Sequence, residues 1–219
     1  MTVAEPASLD ELRRSLGQAL ADAAAFDGWT EAAVRDAAGL VGVDPDAAVF
    51  AFSGGAMDMI DAWIGVIDDK MRAEFTAEKI ASLKIRERIR ALVQFRLDAI
   101  AGQKEALRRA QAIMAMPQNT PRALRLGWRS ADAMWRLAGD TATDYNHYTK
   151  RITLGSIYAA TLAVYVGDVS EGHADTKAFL DRRIEGIMKF EKAKAQLLRP
   201  RDEMFSPARL LGRLRYPAR

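Results

Sequence analysis

The two residues best placed for chemistry in this sequence are Asp144 and His147, a carboxylate and an imidazole three positions apart. On a helix this spacing puts both side chains on one face, where they could act as an acid–base pair. The second histidine, His173, follows Glu171 in a polar stretch that is typical of a solvated loop. A polar, exposed helix start explains the Asp144–His147 pair better than catalysis does. We therefore predict that the protein is not an enzyme, with an enzyme built on this pair as an alternative.

Composition excludes several kinds of site. The 219 residues include no cysteine and only two histidines, which rules out disulfides, cysteine nucleophiles, Cys-ligated zinc or iron–sulfur centres and His-rich metal sites. The sequence also lacks a GxSxG motif, a phosphate-cradling glycine-rich loop and an HExxH motif. We therefore predict neither a metal nor a cofactor.

The elements that position these residues are predicted to be helices alone, about nine or ten of them. Strand patterns are nearly absent, alanine is abundant, and apolar residues recur at steps of three and four. The first helix is predicted over Ser8–Ala25, two short helices begin at the N-caps Thr30 and Asp44, and a longer helix runs to about Phe75. The longer helices that follow are predicted over Lys79–Ala101, Gln103–Met116, Pro121–Ala138, Thr143–Val166 and 174–197.

Two of the longer helices carry apolar stripes that we predict to face inward. In Lys79–Ala101 the stripe is Ile85, Ile89, Leu92, Val93 and Ile100. In Pro121–Ala138 it is Leu124, Trp128, Ala131, Trp135 and Ala138.

Charge is distributed unevenly, although the chain as a whole carries only +3. Asp27–Asp61 holds seven acids and one base, for a net charge of −6. Lys79–Arg136 holds thirteen bases and four acids, and Arg199–Arg219 holds six arginines and two acids. Surfaces of opposite sign indicate that different parts of the chain meet different partners.

The first 75 residues have the outline of a TetR-type helix-turn-helix domain, with a larger bundle behind it. Specific DNA binding requires cations for the phosphates, and base readout favours Arg, Lys, Asn or Gln on the recognition helix. The candidate recognition helix, DPDAAVFAF, holds two aspartates and no base. We therefore predict a degenerate helix-turn-helix without a nucleic-acid partner. A TetR-like transcriptional regulator with a lipidic ligand is the alternative.

The segment MWRLAGDTATDYNHYTKRITLGSIYAATLAVYVGD, followed by TKAFLDRRIEGIM, resembles the coenzyme Q (ubiquinone) biosynthesis accessory family, ninth of the Coq series. The pattern W-x-x-A-G-D-x-[ST]-x-D-[YF]-N-x-Y-T-[KR]-R carries the resemblance, which is to the alphaproteobacterial type of member. Its matching residues are Trp135, Ala138, Gly139, Asp140, Asp144, Tyr145, Asn146, Tyr148, Thr149, Lys150 and Arg151.

The resemblance implies a TetR-like all-α fold and a homodimer that binds isoprenoid lipids and presents quinone precursors to a membrane-associated hydroxylase of the ubiquinone pathway. It implies three parts: residues 1–75 as the degenerate helix-turn-helix, 76–198 as the lipid-binding and dimerisation bundle, and 199–219 as a tail. The family's partner-binding patch maps onto Asp132, Met134, Asp144, His147, Tyr148 and Arg151. At His147 this chain departs from the tryptophan usual in mitochondrial members, and a tryptophan is a typical interface anchor.

The lipid pocket is expected among the long helices. Its candidate residues are Leu124, Trp128, Trp135, Ile152, Ile157, Tyr158, Leu162 and Tyr165. Small residues such as Gly155 and Ala159 opposite the large ones could leave room for an isoprenoid chain. Each buried CH2 group of such a chain contributes about 0.8 kcal/mol.

The tail is predicted to be a short amphipathic helix that lies on an anionic membrane surface. Ser206 and Pro207 form a helix start, after which apolar and basic residues occupy opposite sides. The predicted membrane-binding residues are Phe205, Arg209, Leu210, Leu211, Arg213 and Leu214. The N-terminus lacks a basic and then apolar leader. We therefore expect a cytoplasmic protein that associates peripherally with the inner membrane.

Overall fold

A computed structural model describes residues 8–143 and 145–197 of the chain. Every regular element in these ranges is helical, which confirms the predicted all-α class. The ten α-helices found there are α1 Leu9–Asp27, α2 Glu31–Val41, α3 Pro45–Ala51, α4 Ala56–Glu74, α5 Ala77–Ala81, α6 Ile85–Asp98, α7 Lys104–Met114, α8 Thr120–Leu137, α9 Tyr145–Gly167 and α10 Ala174–Leu197. Short 3-10 turns at Pro117–Asn119 and Glu171–His173 precede α8 and α10.

The first three helices begin where the sequence predicts. The hydroxyl of Ser8 accepts the backbone N–H of Glu11, and the hydroxyl of Thr30 caps α2 in the same way. Asp44 caps α3 by accepting the N–H of Asp46. These caps satisfy donors that a helix leaves unpaired in its first turn, so local sequence fixes the order of helix, short helix, short helix.

Close contact between α1 and α4 depends on Gly17. A Cβ atom at this position would lie 2.8 Å from Val66 Cγ2 and 3.0 Å from the backbone oxygen of Ala62. Leu12, Leu16 and other apolar residues of α1 are buried around it. The two helices therefore approach more closely here than any side chain on α1 would permit.

Two tryptophans tie the N-terminal helices to α7, Trp29 from the turn between α1 and α2 and Trp63 from α4. The Trp29 and Trp63 rings pack with their centroids 5.4 Å apart. Trp29 Nε1 donates to the carbonyl of Ala106, and Trp63 Nε1 donates to Gln103 Oε1. The structure divides into one compact unit that ends at Leu180 and a second that begins at Asp181. The predicted boundary at residue 75 therefore falls inside the first unit.

The single helix predicted over Lys79–Ala101 is wrong, because the chain forms α5 and α6 with a break between them. Glu87 reaches back to accept the backbone N–H of Lys84, which starts a new helix. Arg88 donates to the carbonyls of Ala81 and Leu83 and so provides hydrogen-bond donors for carbonyl groups at the end of α5. Ile85 at the start of α6 is consequently exposed, whereas Ile89 and Leu92 are buried as predicted.

The inner face of α8 differs from the predicted stripe. Leu126 and Met134 are buried, whereas Leu124 is exposed and Trp128 and Trp135 are half-buried. Both tryptophans stay partly accessible because their rings lie against the start of α9 and do not point into the centre of the bundle. The helix also begins at Thr120, one residue before the predicted start.

Candidate functional site at the turn between α8 and α9

The turn between α8 and α9 brings together most of the residues that carry the family resemblance. Gly139 has φ +90°, a left-handed conformation that favours glycine, and the guanidinium of Arg88 lies 3.1 Å from where a Cβ would stand. The N–H of Asp140 bonds back to the carbonyl of Trp135 and closes the end of α8. This glycine lets the chain reverse between two long helices, so that α9 returns alongside α8.

A buried arginine links the two helices across the turn. Arg151 on α9 is 2% exposed, and its Nε donates to Asp132 Oδ1 on α8 at 2.6 Å. Its Nη1 donates to Asp140 Oδ2 in the turn and to the carbonyl of His147, both at 3.0 Å. A buried charge requires such pairing, since an unpaired one loses its hydration without compensation.

Asp140 receives a second cation. Lys150 Nζ donates to Asp140 Oδ1 at 2.6 Å and lies 5.3 Å from the centre of the Trp135 ring. Trp135 Nε1 in turn donates to the backbone carbonyl of Lys150 at 2.9 Å. Burial acts to raise the pKa of Asp140, but the hydrogen bonds from Lys150 and Arg151 outweigh it and hold that pKa below its ordinary value. Asp140 therefore remains an anion that fixes the turn to α9.

Three aromatic rings form the outer part of the site. The Trp128 ring centre lies 6.0 Å from that of Tyr148 and 6.1 Å from that of His147. The rings of His147 and Tyr148 meet edge to face at 5.2 Å. His147 Nδ1 is 3.0 Å from the carbonyl of Ala142, to which it can only donate, so the imidazole is held against the turn. Tyr148 remains 57% exposed and presents a fixed ring at the surface.

Two of the predicted partner-binding residues have buried side chains. Met134 is 0% exposed and Arg151 is 2% exposed, so neither side chain offers contact surface in the protomer. Arg151 instead acts through the carboxylates that it holds, of which Asp132 is half-buried. Tyr148 is exposed and His147 is half-buried. Asp144 lies outside the described residues, as does any pairing of it with His147.

The eight residues predicted to bind lipid differ widely in burial. Leu124 and Ile152 are exposed, at 69% and 60%. Ile157, Tyr158 and Tyr165 are buried, and Trp128, Trp135 and Leu162 are intermediate. Burial and the carboxylates of Asp98 and Asp168 raise the pKa of Tyr165, which keeps its hydroxyl neutral. A lipid role for these residues stays a prediction.

Three further observations concern the other predicted sites. The tail residues Phe205, Arg209, Leu210, Leu211, Arg213 and Leu214 lie outside the described residues. Within residues 8–143 and 145–197, no cluster of three or more His, Asp or Glu side chains has the arrangement to hold a metal ion. No single helix there is long and apolar enough to cross a membrane, and only α3 and α4 taken together, bent by 95°, meet that test of length and composition.

The pairing of two acidic residues with Arg151 was not predicted. In the sequence Asp140 is only a member of the family pattern and Asp132 a predicted partner-binding residue, whereas in the structure both are counter-ions of Arg151. The sequence did indicate that Arg151 has a carboxylate partner, because this arginine lies on the otherwise uncharged face of an apolar helix and needs a counter-ion there. The pairing of Trp128 with Tyr148 crosses between helices and has no signature in sequence spacing.

Residues 120–191, which contain this whole site, match the COQ9 family model. The resemblance to the COQ9 family is confirmed. The mitochondrial ubiquinone biosynthesis protein COQ9 of Rattus norvegicus is 33% identical over 168 residues, and its counterpart in Homo sapiens is 31% identical over the same length. These alignments cover 74% of this chain and 54% and 52% of the two relatives. The chain thus spans about half the length of the curated COQ9 proteins it matches.

The fold is also similar to that of a solved structure. A TetR transcriptional regulator from Nitrosomonas europaea superimposes with a TM-score of 0.62 and 25% sequence identity. The superposition covers 79% of this chain and 95% of the regulator. The predicted TetR-like fold is therefore confirmed, together with the COQ9 resemblance of its C-terminal part.

Proposed function

We propose that the chain acts in ubiquinone biosynthesis as a non-enzymatic, lipid-binding protein. In this proposal a homodimer binds an isoprenoid quinone precursor and presents it to a membrane-associated hydroxylase of that pathway. The names and identities of the COQ9 relatives support the pathway, and the match over 120–191 places the candidate site in the shared segment. The basic tail supports a peripheral association with the inner membrane.

The observation that carries this proposal is the exposed ring of Tyr148 at the α8–α9 turn. It is held against Trp128 and His147, on a helix that the Arg151 ion pairs fix to α8. An interface anchor of this kind loses little conformational freedom on binding, because its position is set before the partner arrives. We assign this surface to the hydroxylase, with Asp132 and His147 beside the anchor. Histidine in place of the family's usual tryptophan gives a smaller apolar contact and an additional hydrogen-bonding group.

The lipid is proposed to lie against the α8–α9 pair. Leu124 and Ile152 supply exposed apolar surface on these two helices, and α9 also carries Ile157, Tyr158 and Leu162. An isoprenoid chain contributes through burial of its hydrocarbon, at about 0.8 kcal/mol for each CH2. Native mass spectrometry of the protein from its host, followed by lipid extraction, identifies the bound molecule.

A paired substitution tests the partner surface. Tyr148→Ala removes the anchored ring, whereas Tyr145→Ala removes a ring that is 74% exposed, on the same helix turn and outside the aromatic cluster. We expect Tyr148→Ala to lower cellular ubiquinone and accumulate the hydroxylase substrate, and Tyr145→Ala to do neither. Protein abundance is measured in parallel, so that loss of the protein is not mistaken for loss of the contact. Normal quinone levels in a well-expressed Tyr148→Ala strain would count against the site.

The TetR-like structural neighbour favours a second candidate, a transcriptional regulator with a lipidic ligand. Helix α3 occupies the place of a recognition helix, but it exposes Asp46 and Phe50 and carries no base. Because the negative charge of this helix repels phosphate, we expect no sequence-specific duplex binding. A mobility-shift assay with genomic fragments at low salt tests this, and a salt-sensitive, sequence-selective shift would favour the regulator.

A further inference from the structure

Helices α2 and α3 present two large apolar side chains on an exposed outward face. Leu40 on α2 is 76% exposed, and Phe50 on α3 is 67% exposed. A Cβ atom placed on Gly39, next to Leu40, would meet nothing within 4 Å. We call this surface the α2–α3 face. It is built from other residues than the site at the α8–α9 turn, so an inference about it is independent of the function proposed above.

An ion pair joins the two helices on this face. Arg35 Nη1 of α2 donates to Asp46 Oδ1 of α3 at 2.9 Å. Asp46 and Phe50 are four residues apart on α3, which places them on one side of that helix. Asp36 and Leu40 have the same spacing on α2. Each exposed apolar side chain therefore shares a helix side with a carboxylate.

The α2–α3 face is acidic. Between residues 31 and 51 every charged side chain is exposed, and the four acids and one base there leave a net charge of −3. The acids are Glu31, Asp36, Asp44 and Asp46. The base, Arg35, is already held by Asp46 and, through Nη2, by Glu31 at 2.9 Å. Such a surface attracts a cationic ligand and repels an anionic one.

The chain itself contains a segment of matching chemistry, the tail at residues 199–219. It holds six arginines and two acids, a net charge of +4, together with Phe205, Leu210, Leu211 and Leu214. Opposite charges bring such a segment to the face, and apolar burial against Leu40 and Phe50 stabilises the contact. A stretch of this length spans up to about 70 Å when extended, which is enough to reach a neighbouring molecule.

We infer that the α2–α3 face binds the tail of a second copy of the chain. The face supplies carboxylates for the arginines of the tail and two apolar side chains for its leucines and phenylalanine. Because the same tail is predicted to lie on anionic membrane, binding to the face and binding to lipid exclude each other. Copies of the chain therefore associate through their tails in solution and separate as the tails move to a membrane.

Mixing two full-length proteins detects the second copy directly. The first is a tail variant, Arg209→Glu, Leu211→Glu and Arg213→Glu, which keeps the face intact and is labelled with 15N. Because its own tail is altered, unlabelled wild type is the source of a normal tail in the mixture. We expect the backbone amide signals of Leu40 and Phe50 to shift as wild type is added, but not when unlabelled tail variant is added. At about 1 M salt, where charges are screened within about 3 Å, binding should be weaker.

A matched pair of substitutions in the labelled protein tests the apolar part of the face. Phe50→Ser removes one apolar side chain from it. Phe26→Ser is the control, because Phe26 is 83% exposed at the end of α1 and its carbonyl accepts from Arg109 on α7. We expect Phe50→Ser to raise the midpoint of the titration roughly tenfold, read from the Leu40 amide. Phe26→Ser should leave the midpoint unchanged.

Three results would overturn the inference. The first is that wild type causes no shift at the α2–α3 amides of the labelled tail variant; a difference at these amides between wild type and tail variant, each alone, would then assign the contact to a molecule's own tail. The second is an equal shift with unlabelled tail variant, because the contact would then not involve the tail. The third is an equal midpoint for Phe50→Ser and Phe26→Ser.

Discussion

Arg151 Nε on α9 donates to Asp132 Oδ1 on α8 at 2.6 Å, and this bond joins the two helices at the candidate partner surface. The arginine is buried, while the carboxylate that it holds is 20% exposed beside Arg136, whose Nε lies 2.7 Å from Asp132 Oδ2. One carboxylate thus connects the interior of the protomer to its surface. Substitutions of Arg151 and Arg136 separate these two contributions.

Replacing Arg151 should destabilise the protein strongly. Arg151→Met takes the buried cation away from Asp132 and Asp140, which keep only the more exposed Arg136 and Lys150. Removal of one partner from a buried ion pair costs about 3–5 kcal/mol. Arg136→Met removes the same kind of pair from a side chain that is 72% exposed, and surface pairs contribute about 0–1 kcal/mol. Urea unfolding followed by circular dichroism gives both values. Equal losses in the two variants would show that burial of Arg151 does not govern its contribution.

Asp140 should make stability depend on acid pH. Its pKa in the folded protein is lowered below the ordinary value for aspartate, about 3.9 in the unfolded chain. Its stabilisation is therefore present above that value and is lost as the pH falls through the folded-state pKa. We expect the difference in unfolding free energy between the wild type and Asp140→Asn to shrink as pH is lowered from about 4 to 2. A difference that stays constant over this range would contradict the role of the Lys150 and Arg151 pairs.

Adding a single methyl group where α1 and α4 approach closely should destabilise the protein. In Gly17→Ala the new Cβ meets Val66 Cγ2 and the Ala62 backbone, and overpacking of this kind costs about 1–3 kcal/mol. Gly39→Ala is the matched control on α2, because nothing lies within 4 Å of the corresponding Cβ. There the better helix propensity of alanine should raise stability by up to about 1 kcal/mol. Thermal unfolding measures the stability of both variants. A Gly17→Ala protein as stable as the wild type would show that α4 can move away from α1 without cost.

Deletion of residues 205–219 should abolish binding to anionic liposomes and leave the helical bundle folded. Phe205, Leu210, Leu211 and Leu214 offer little apolar area, so the arginines must supply much of the affinity, and their attraction is screened within about 8 Å at physiological salt. Binding of the full chain in co-sedimentation should therefore require anionic lipid and fall as salt rises. If the truncated chain sediments with anionic liposomes as well as the intact chain does, we would assign the membrane contact to the basic stretch 79–136.

Local signals were enough to predict the helix-turn-helix outline and the starts of the first three helices. Ser8, Thr30 and Asp44 each place an oxygen where the first-turn N–H groups need it, and this chemistry depends only on neighbouring residues. The break between α5 and α6 was missed because periodicity continues across it. Only the reach of Glu87 back to Lys84 shows that a new helix begins.

The sequence was enough to predict which residues form the candidate site, but not which role each of them has. The family pattern contains Asp140, Tyr148 and Arg151, and the structure brings them to one turn. Which of them is buried depends on how α8 and α9 rotate against each other, and sequence spacing does not fix that rotation. For this reason the spacing alone did not show that Tyr148 lies at the surface while Met134 and Arg151 point inward.

The ion pairs along α4 have a mechanical consequence. Asp58 pairs with Arg122, Asp61 with Arg129, and Asp68 with Arg96, so three points along one helix are tethered to α8 and α6. Helix α3 is joined to α4 by a turn of four residues, 52–55. Any swing of α3 that carried α4 with it would break these tethers, including the buried one at a cost of about 3–5 kcal/mol. A hinge at this place would be stiff, and a ligand elsewhere in the protein would need a large preference for one conformation to move it.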